Sequence, residues 1–328
     1  MAARIFMYKG ICEMSDKIIV SVICTVYNHE KYLEKCLDGI LKQKTTFNYE
    51  VLVHDDASTD GSAAILKKYV AKFPDIIVPI FQKKNVYSQG INPTHIMLKM
   101  ARGKYIAICE GDDFWIDPDK LQKQVNFLEK HVDYSLCVHA AYYAHENGTI
   151  DAKKVFKAYK MDRSVGTDEI LDGWKFATNS IVYRKSARED PIIPFQMDCE
   201  NGDFAMAVYL SLNGKVYYMK DIMSAYRVDS VGSLNWKWKR NTEQFVQSKK
   251  RFIEMLYRID SYTQNNYHAI IEKNIRAMKF SVFYASGDLK NARTMKDLYN
   301  QLNILQKAKL FLQYHFPRIY SETRKIIN

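Results

Sequence analysis

Glycine and proline are scarce in this chain of 328 residues, at 13 and 7, which excludes collagen-like and linker-rich architectures. Long apolar runs are missing as well. No stretch approaches the roughly 20 consecutive apolar residues of a membrane span, and the patch from Ile5 to Tyr8 is too short for a secretory core segment. Cysteine is sparse and unpatterned: Cys12, Cys24, Cys36, Cys109, Cys137 and Cys199 include no C-x-x-C pair. That argues against a disulfide framework or a zinc site and for buried thiols in a reducing compartment. The expected setting is cytoplasmic, with any membrane contact peripheral and on the inner face.

Apolar residues make up 47% of the chain, and 23 Tyr, 16 Phe and 4 Trp are present, too many for a chain that stays unfolded. The length supports one large domain plus an appended element, with a core that needs no staples. The net charge of +11 is unevenly placed. Residues 1–230 carry 30 basic and 30 acidic residues, whereas residues 231–328 carry 18 and 7, so the whole excess lies in the last third and points to an anionic partner there.

Ile18 to Val26 is a continuous β-branched run, the pattern of a strand buried on both faces. Tyr32, Leu33, Cys36, Leu37, Ile40 and Leu41 then recur at helical spacing. Further strands are expected at Tyr49 to His54, Ile76 to Phe81 and Lys104 to Cys109. Between them lie a helix carrying Ile65, Leu66, Tyr69, Val70 and Phe73, capped by Ser58 or Thr59, and another carrying Ile96, Met97 and Met100. This alternation predicts a mostly parallel α/β sheet. After a helix near Lys120 to His131 it weakens: strands at Tyr134 to Ala144 and Asn179 to Arg184 flank a charged, poorly periodic stretch. A helix at Asp203 to Asn213 and strands at Lys215 to Met219 and Met223 to Val228 follow. Beyond Val231 helices are expected at Phe245 to Ile259, Tyr267 to Tyr284, Asn291 to Asn303 and Ile304 to Phe316.

In open α/β sheets ligands bind beyond the carboxyl ends of the strands. The turn at Thr25 to Asn28, the pair Asp55 and Asp56, and the cluster Glu110 to Asp113 each end a predicted parallel strand and should share one rim. Adjacent carboxylates repel unless a cation neutralises them. All-oxygen ligation favours Mg²⁺ or Mn²⁺, which commonly takes its other ligands from a substrate diphosphate. The pattern suggests a nucleoside-diphosphate site without a P-loop.

Four blocks in order, Val20 to Asn28, Val53 to Gly61, Ala101 to Ala107 and Glu110 to Trp115 with Asp117-Pro118, resemble those of glycosyltransferase family 2. The resemblance covers about residues 17 to 232. It implies a GT-A fold and an inverting, metal-dependent glycosyltransferase that moves sugar from a nucleotide donor, often UDP-linked, to a hydroxyl of a glycan or lipid-linked oligosaccharide in bacterial surface-polysaccharide assembly. It implies that Thr25, Tyr27 and Asn28 line the nucleoside pocket and that Asp55 accepts a hydrogen bond from the base. Asp112 and Asp113 fall in its D-x-D region, where one carboxylate reaches the ribose or sugar and the other ligates the metal: Asp113 is the first choice of metal ligand, with Asp112 close behind and also nucleotide-binding; Glu110 orients water or a neighbour. Asp203, in Glu200 to Asp203, becomes the catalytic base. Two features depart from the family pattern: Thr25 stands where a proline is common, and Asp229 where many relatives have a histidine, leaving Asp229 as either a metal ligand or a turn residue. An arginine that holds the diphosphate in some relatives is missing between Gly90 and His95, and Lys83, Lys84 or Arg227 could replace it.

The expected organisation is an N-terminal extension (1–16), a GT-A catalytic domain (17–232) and a basic helical C-terminal region (233–328). In the last helix Ile304, Leu305, Ala308, Phe311, Leu312 and His315 share one face. Packing on the domain or on a second subunit in a homo-oligomer, and docking on an anionic membrane, both remain open for that region, as they do for Trp236 and Trp238. No helix-turn-helix or RNA-binding signature supports nucleic acid. His54 and His139 read as structural, and Trp115 as pocket wall or core. The rival to catalysis is a non-catalytic glycan- or nucleotide-binding module on the same fold.

Overall fold

Strands that are apolar on both faces must be covered on both sides, and one mixed sheet meets that need. A computed structural model describes residues 17–156, 159–188, 190–196, 202–228, 241–318 and 320. Its strands are β1 (Ile18–Val26), β2 (Asn48–Asp55), β3 (Ile77–Phe81), β4 (Tyr105–Ile108), β5 (Phe114–Trp115), β6 (Tyr134–Ala144), β7 (Ile150–Phe156), β8 (Arg163–Val165), β9 (Val182–Arg184) and β10 (Lys215–Arg227). Its helices are α1 (Leu33–Leu41), α2 (Ser62–Lys72), α3 (Pro93–Met100), α4 (Lys120–Lys130), α5 (Thr167–Leu171), α6 (Gly202–Leu212), α7 (Thr242–Tyr262), α8 (His268–Ser286), α9 (Leu289–Thr294), α10 (Lys296–Gln301) and α11 (Ile304–His315).

The sheet order is β3-β2-β1-β4-β9-β6-β10-β5, with β7 beside β6 and β8 beside β10. Parallel pairing joins β1 to β2 and β4, β2 to β3, and β6 to β10. Strand β9 runs antiparallel to both β4 and β6. Six strands therefore share one direction and end on one rim, as the alternation predicts.

Alternation along the central strands feeds two cores. Val20, Val22, Cys24 and Val26 of β1 face Leu33, Cys36, Leu37 and Ile40 of α1 and Leu121, Val125 and Leu128 of α4. Ile23, Leu52 and Ile106 face the other way, into a cluster completed by Met97 of α3, Phe204 to Leu210 of α6, Met255 and Ile259 of α7 and Ile271 and Ile275 of α8. The first two C-terminal helices thus belong to the main core. Each fully buried aliphatic side chain contributes about 1.5–3 kcal/mol by transfer. The last helices pack on one another through a small separate cluster of Leu289, Ala292 and Leu310.

Arg102 and Gly103 of the Ala101 to Ala107 block have structural tasks. Glu50, 1% exposed, accepts hydrogen bonds from Ser21 Oγ (2.6 Å), Arg102 N (2.8 Å) and Arg102 Nε (2.7 Å). Gly103 follows because a Cβ there would lie 2.4 Å from Ser21 N.

Several expectations shift. Helix α2 starts at Ser62, not after Ser58 or Thr59; Asp60 Oδ1 accepts from Ser62 N at 2.9 Å, while Ser58 and Thr59 bond to Asn28. The unperiodic stretch after Ala144 holds β7, β8 and α5, and β7 exposes its charged middle as an edge strand does. The two strands expected at Lys215 to Val228 are one strand, β10, with register irregularities around Ile222, where polar Lys220 and Asp221 interrupt the apolar pattern. The helix expected at Asn291 to Asn303 breaks at Met295 (φ −93°, ψ 67°); Thr294 Oγ1 bonds back to Asn291 O at 2.6 Å, a competitor of regular helix.

Candidate active site

The rim is assembled by backbone bonds between neighbouring strand ends. Asp56 N donates to Val26 O (2.9 Å), Cys109 N to Ile23 O (3.1 Å) and Gly111 N to Thr25 O (2.9 Å). A Cβ on Gly111 would lie 2.7 Å from His29 Nδ1, so glycine lets the acidic loop sit against the β1 turn. The loop after β2 is fastened to that turn as well. Asn28, at φ 57°, donates N–H to Ser58 Oγ (3.0 Å) and accepts through Oδ1 from Thr59 N (2.8 Å). Its side-chain oxygen is thereby committed to the loop. Tyr27 stands 45% exposed on the rim, beside half-buried Thr25.

The two aspartates after β2 divide their tasks. Asp56 accepts from Val86 N (2.8 Å) and Tyr87 N (3.1 Å), capping the 3-10 turn Tyr87–Gln89. Asp55 is 3% exposed, and its Oδ1 is buried with no hydrogen-bond partner, an acceptor lacking a donor. His54 is structural, as expected: its Nε2 meets Gln82 Nε2 at 3.1 Å, and burial lowers its pKa.

At the end of β4 the acids crowd together. Asp113 is 1% exposed; Oδ1 accepts from Arg227 N at 2.8 Å, and Oδ2 is buried without a partner. Burial and the neighbouring charges of Asp112 and Glu110 push its pKa well up, against the pull of Arg227. Burial, with Asp112 and Asp203, pushes Glu110 up to about 8. Asp112 and Asp203 are half-buried. Asp203 opens α6, where Oδ1 accepts from Phe204 N (2.8 Å) and Oδ2 faces Thr178 Oγ1 (3.5 Å); burial raises its pKa too. The acid of the second half thus shares the electrostatic environment of the β4 loop, over 90 residues earlier. Tyr226 lies among them, its phenol pushed upward by burial and by Asp113, Glu110, Asp112 and Asp203 in that order. Sequence reasoning had no separate signal for Tyr226. Asp229, like Trp236 and Trp238, lies outside the described residues.

Arg227 locks this arrangement. It is 4% exposed; Nε donates to Asp112 O (2.7 Å), and Nη1 to His145 O (2.8 Å) and Glu146 O (2.6 Å). The guanidinium covers the Tyr32 ring at 4.5 Å. It is a clamp on backbone carbonyls, which leaves exposed Lys83 and Lys84 as the remaining cations suggested for the diphosphate. Beside it the rim opens into a depression of about 640 Å³ lined by Lys31, His145, Glu146, Asn147 and Val228.

Beneath the acids, Trp115 is core: 3% exposed, with Nε1 donating to Asn179 O at 2.9 Å. Buried Asn179 bonds Ala225 O (2.9 Å) and accepts from Ser224 Oγ (2.6 Å), fixing β10 against β5. Lys120, 0% exposed, bonds Gln124 Oε1 (2.8 Å) and covers the Trp115 ring at 4.1 Å; burial pushes its pKa down to about 7. Asn179 opens the strand expected at Asn179 to Arg184 but lies in the 3-10 turn Thr178–Ser180 before β9, and only the packing reveals its role.

Among the described residues no three Asp, Glu, His or Cys side chains converge as a complete metal cage. The donor set nevertheless fits a hard divalent cation: oxygen only, mutually repelling, with Asp113 Oδ2 buried and unpartnered. One or two carboxylates suffice where substrate phosphates and water supply the rest.

The mostly parallel α/β sheet thus gathers Thr25, Tyr27, Asp55, Glu110, Asp112 and Asp113 at its strand ends. Residues 21–189 match the model of Glycosyl transferase family 2, and the chain belongs to that family. It is 34% identical over 209 residues to the uncharacterized protein Rv1520 of Mycobacterium tuberculosis, spanning 63% of this chain and 58% of that one; the chain thus covers little more than half the length of that relative. It is 28% identical over 244 residues to TuaG of Bacillus subtilis, named as a candidate teichuronic acid biosynthesis glycosyltransferase, covering 69% and 86%. The GT-A-like fold is shared with S. aureus TarS 1-349 in complex with UDP-GlcNAc (TM-score 0.55, 21% identity, 92% and 88% covered). It is shared too with the mannosyltransferase PcManGT of Pyrobaculum calidifontis in complex with GDP-Man and Mn²⁺ (0.54, 15%, 93% and 89%). Among the described residues no helix is long and apolar enough to cross a membrane.

Proposed function

We propose that the chain is an inverting, cation-dependent glycosyltransferase that takes a UDP-sugar and delivers the sugar to a hydroxyl of a glycan or lipid-linked oligosaccharide in surface-polysaccharide assembly. The observation that carries this reading is the buried, unpartnered Oδ2 of Asp113 among Glu110, Asp112 and Asp203. TuaG's name, the UDP-GlcNAc bound by TarS and the Mn²⁺ bound by PcManGT support it. Among the described residues, the buried free thiols of Cys24, Cys36, Cys109 and Cys137 support a reducing, cytoplasmic setting.

Each residue has a role in this reading. Asp55 takes an N–H of the base through its unpartnered Oδ1, and Tyr27 and Thr25 flank the nucleoside, with Asn28 holding that turn in shape. Asp113, aided by Asp112, holds Mn²⁺ or Mg²⁺, which when bound offsets the charge of the departing diphosphate. Asp229 is a further candidate ligand from the sequence. Asp203 accepts the proton of the acceptor hydroxyl as that oxygen attacks the anomeric carbon; its raised pKa suits a base. The bond to the diphosphate breaks and the anomeric configuration inverts.

Incubating the chain with a panel of UDP-sugars and lipid-linked or oligosaccharide acceptors, with Mn²⁺ or EDTA, tests this. Acceptor-dependent UDP release with Mn²⁺ is expected. Nucleotide binding without transfer to any acceptor would favour the non-catalytic module.

A further inference from the structure

Helix α11 turns its apolar face away from the protein. Leu310 is its buried residue and anchors it to Leu289 and Ala292. Ile304 is 85% exposed, Leu305 80%, Phe311 44% and Leu312 42%, and Ala308 is exposed with them. At about 100° per residue these five occupy an arc of roughly 120°, centred nearly opposite Leu310. Among the described residues, none buries these large side chains against the catalytic domain. The helix is nonetheless firmly built: Asn303 Oδ1 accepts from Gln306 N and Gln306 Oε1 from Asn303 N, both at 2.9 Å, a reciprocal cap.

Charge says what covers the face. Helix α11 contains no acidic residue, and Lys307 and Lys309 stand on the two flanks of the apolar arc. Across residues 289–318 there are Lys290, Arg293, Lys296, Lys307, Lys309 and Arg318 against Asp297 alone. An apolar arc bordered by lysines, on a helix too short to span, is the pattern of a helix lying in the plane of an anionic bilayer: aliphatic residues enter the acyl boundary while lysine stems reach back to headgroup phosphates. A second copy of the chain would bring the same basic surface against itself, which like charges oppose.

We propose that α11 is a membrane-docking helix, whose Ile304, Leu305, Phe311 and Leu312 insert into an anionic phospholipid surface under electrostatic attraction from the flanking basic residues. This holds the catalytic rim close to a bilayer. It does not depend on which donor the rim binds.

The test is co-sedimentation of the full chain with phosphatidylcholine vesicles, with and without phosphatidylglycerol, at low and high salt. Binding to the anionic vesicles is expected, at least about tenfold weaker at high salt and on neutral vesicles. The variant Ile304→Ser/Leu305→Ser/Leu312→Ser alters only exposed side chains and should lose at least about tenfold in vesicle affinity while keeping its thermal unfolding temperature and its UDP binding in solution. Three results would overturn the proposal: equal binding of variant and parent, equal binding to neutral and anionic vesicles, or light scattering that gives a dimer for the parent and a monomer for the variant with no vesicle binding by either.

Discussion

Asp113 and Arg227, 114 residues apart in sequence, are joined by a hydrogen bond of 2.8 Å from the Arg227 backbone N–H to Asp113 Oδ1. The Arg227 side chain returns to the same loop at Asp112 O. This reciprocal tie fixes one oxygen of Asp113 and leaves the other buried and unpartnered, so the loop is held in place without neutralising the acid that faces the site.

The tie predicts separable effects at Asp113. Asp113→Asn keeps an oxygen for Arg227 N and should fold normally, while losing the negative charge toward the cation. Transfer should fall at least about 10²-fold and Mn²⁺ binding should weaken, with the unfolding temperature shifted little. Retained transfer in a folded variant would remove Asp113 from the cation site.

At Asp203 the predicted loss is in chemistry alone. Asp203→Asn should lower kcat about 10²–10⁴-fold, the range of general-base assistance, and leave UDP affinity unchanged in a binding titration. Transfer at the parent rate would exclude it as the base.

For Asp55 the account predicts a nucleoside effect. Asp55→Ala should weaken UDP by about tenfold, the worth of a hydrogen bond to a charged acceptor, and should weaken N3-methyl-UDP much less, since that analogue has no N–H to donate. Equal losses for both would contradict the assignment.

Arg227→Lys should destabilise the fold by about 2–4 kcal/mol in urea unfolding, because an ammonium cannot reach three carbonyls with a planar fork. Transfer should fall with it as the acid loop loosens.

Lys120 makes stability depend on pH. Its pKa is about 7 when folded and about 10.4 when unfolded, so between these values the unfolded chain holds the extra proton and this lysine's contribution to stability rises with pH. The unfolding free energy of the parent minus that of Lys120→Met should therefore climb by roughly 2–4 kcal/mol from about pH 7 to 10. A flat difference would mean Lys120 stays charged.

The parallel sheet was legible because fully buried strands must be apolar throughout, as Ile18 to Val26 is, and because the strand-end rule needs only chain order to bring Asp55 and Asp113 to one rim. What stayed hidden depends on contacts between distant segments. The bonds of Thr59 to the Asn28 oxygen and of Arg227 to the carbonyls of Asp112, His145 and Glu146 give both residues structural tasks that the sequence does not show. Tyr226 and Asn179 have no periodicity to mark them, and edge strand β7 carries charge where a strand is expected to be apolar. The apolar face of α11 was visible in the sequence, but only the packing of Leu310 shows which side points outward.

The central claim is that a cation on the acidic rim joins the chain to the donor diphosphate. Calorimetric titration of UDP into the parent chain, with Mn²⁺ and then with EDTA, tests it most directly. The account predicts binding with Mn²⁺ that weakens at least about tenfold in EDTA, and an Asp113→Asn variant that binds weakly in both. The same affinity in Mn²⁺ and EDTA for the parent would contradict it.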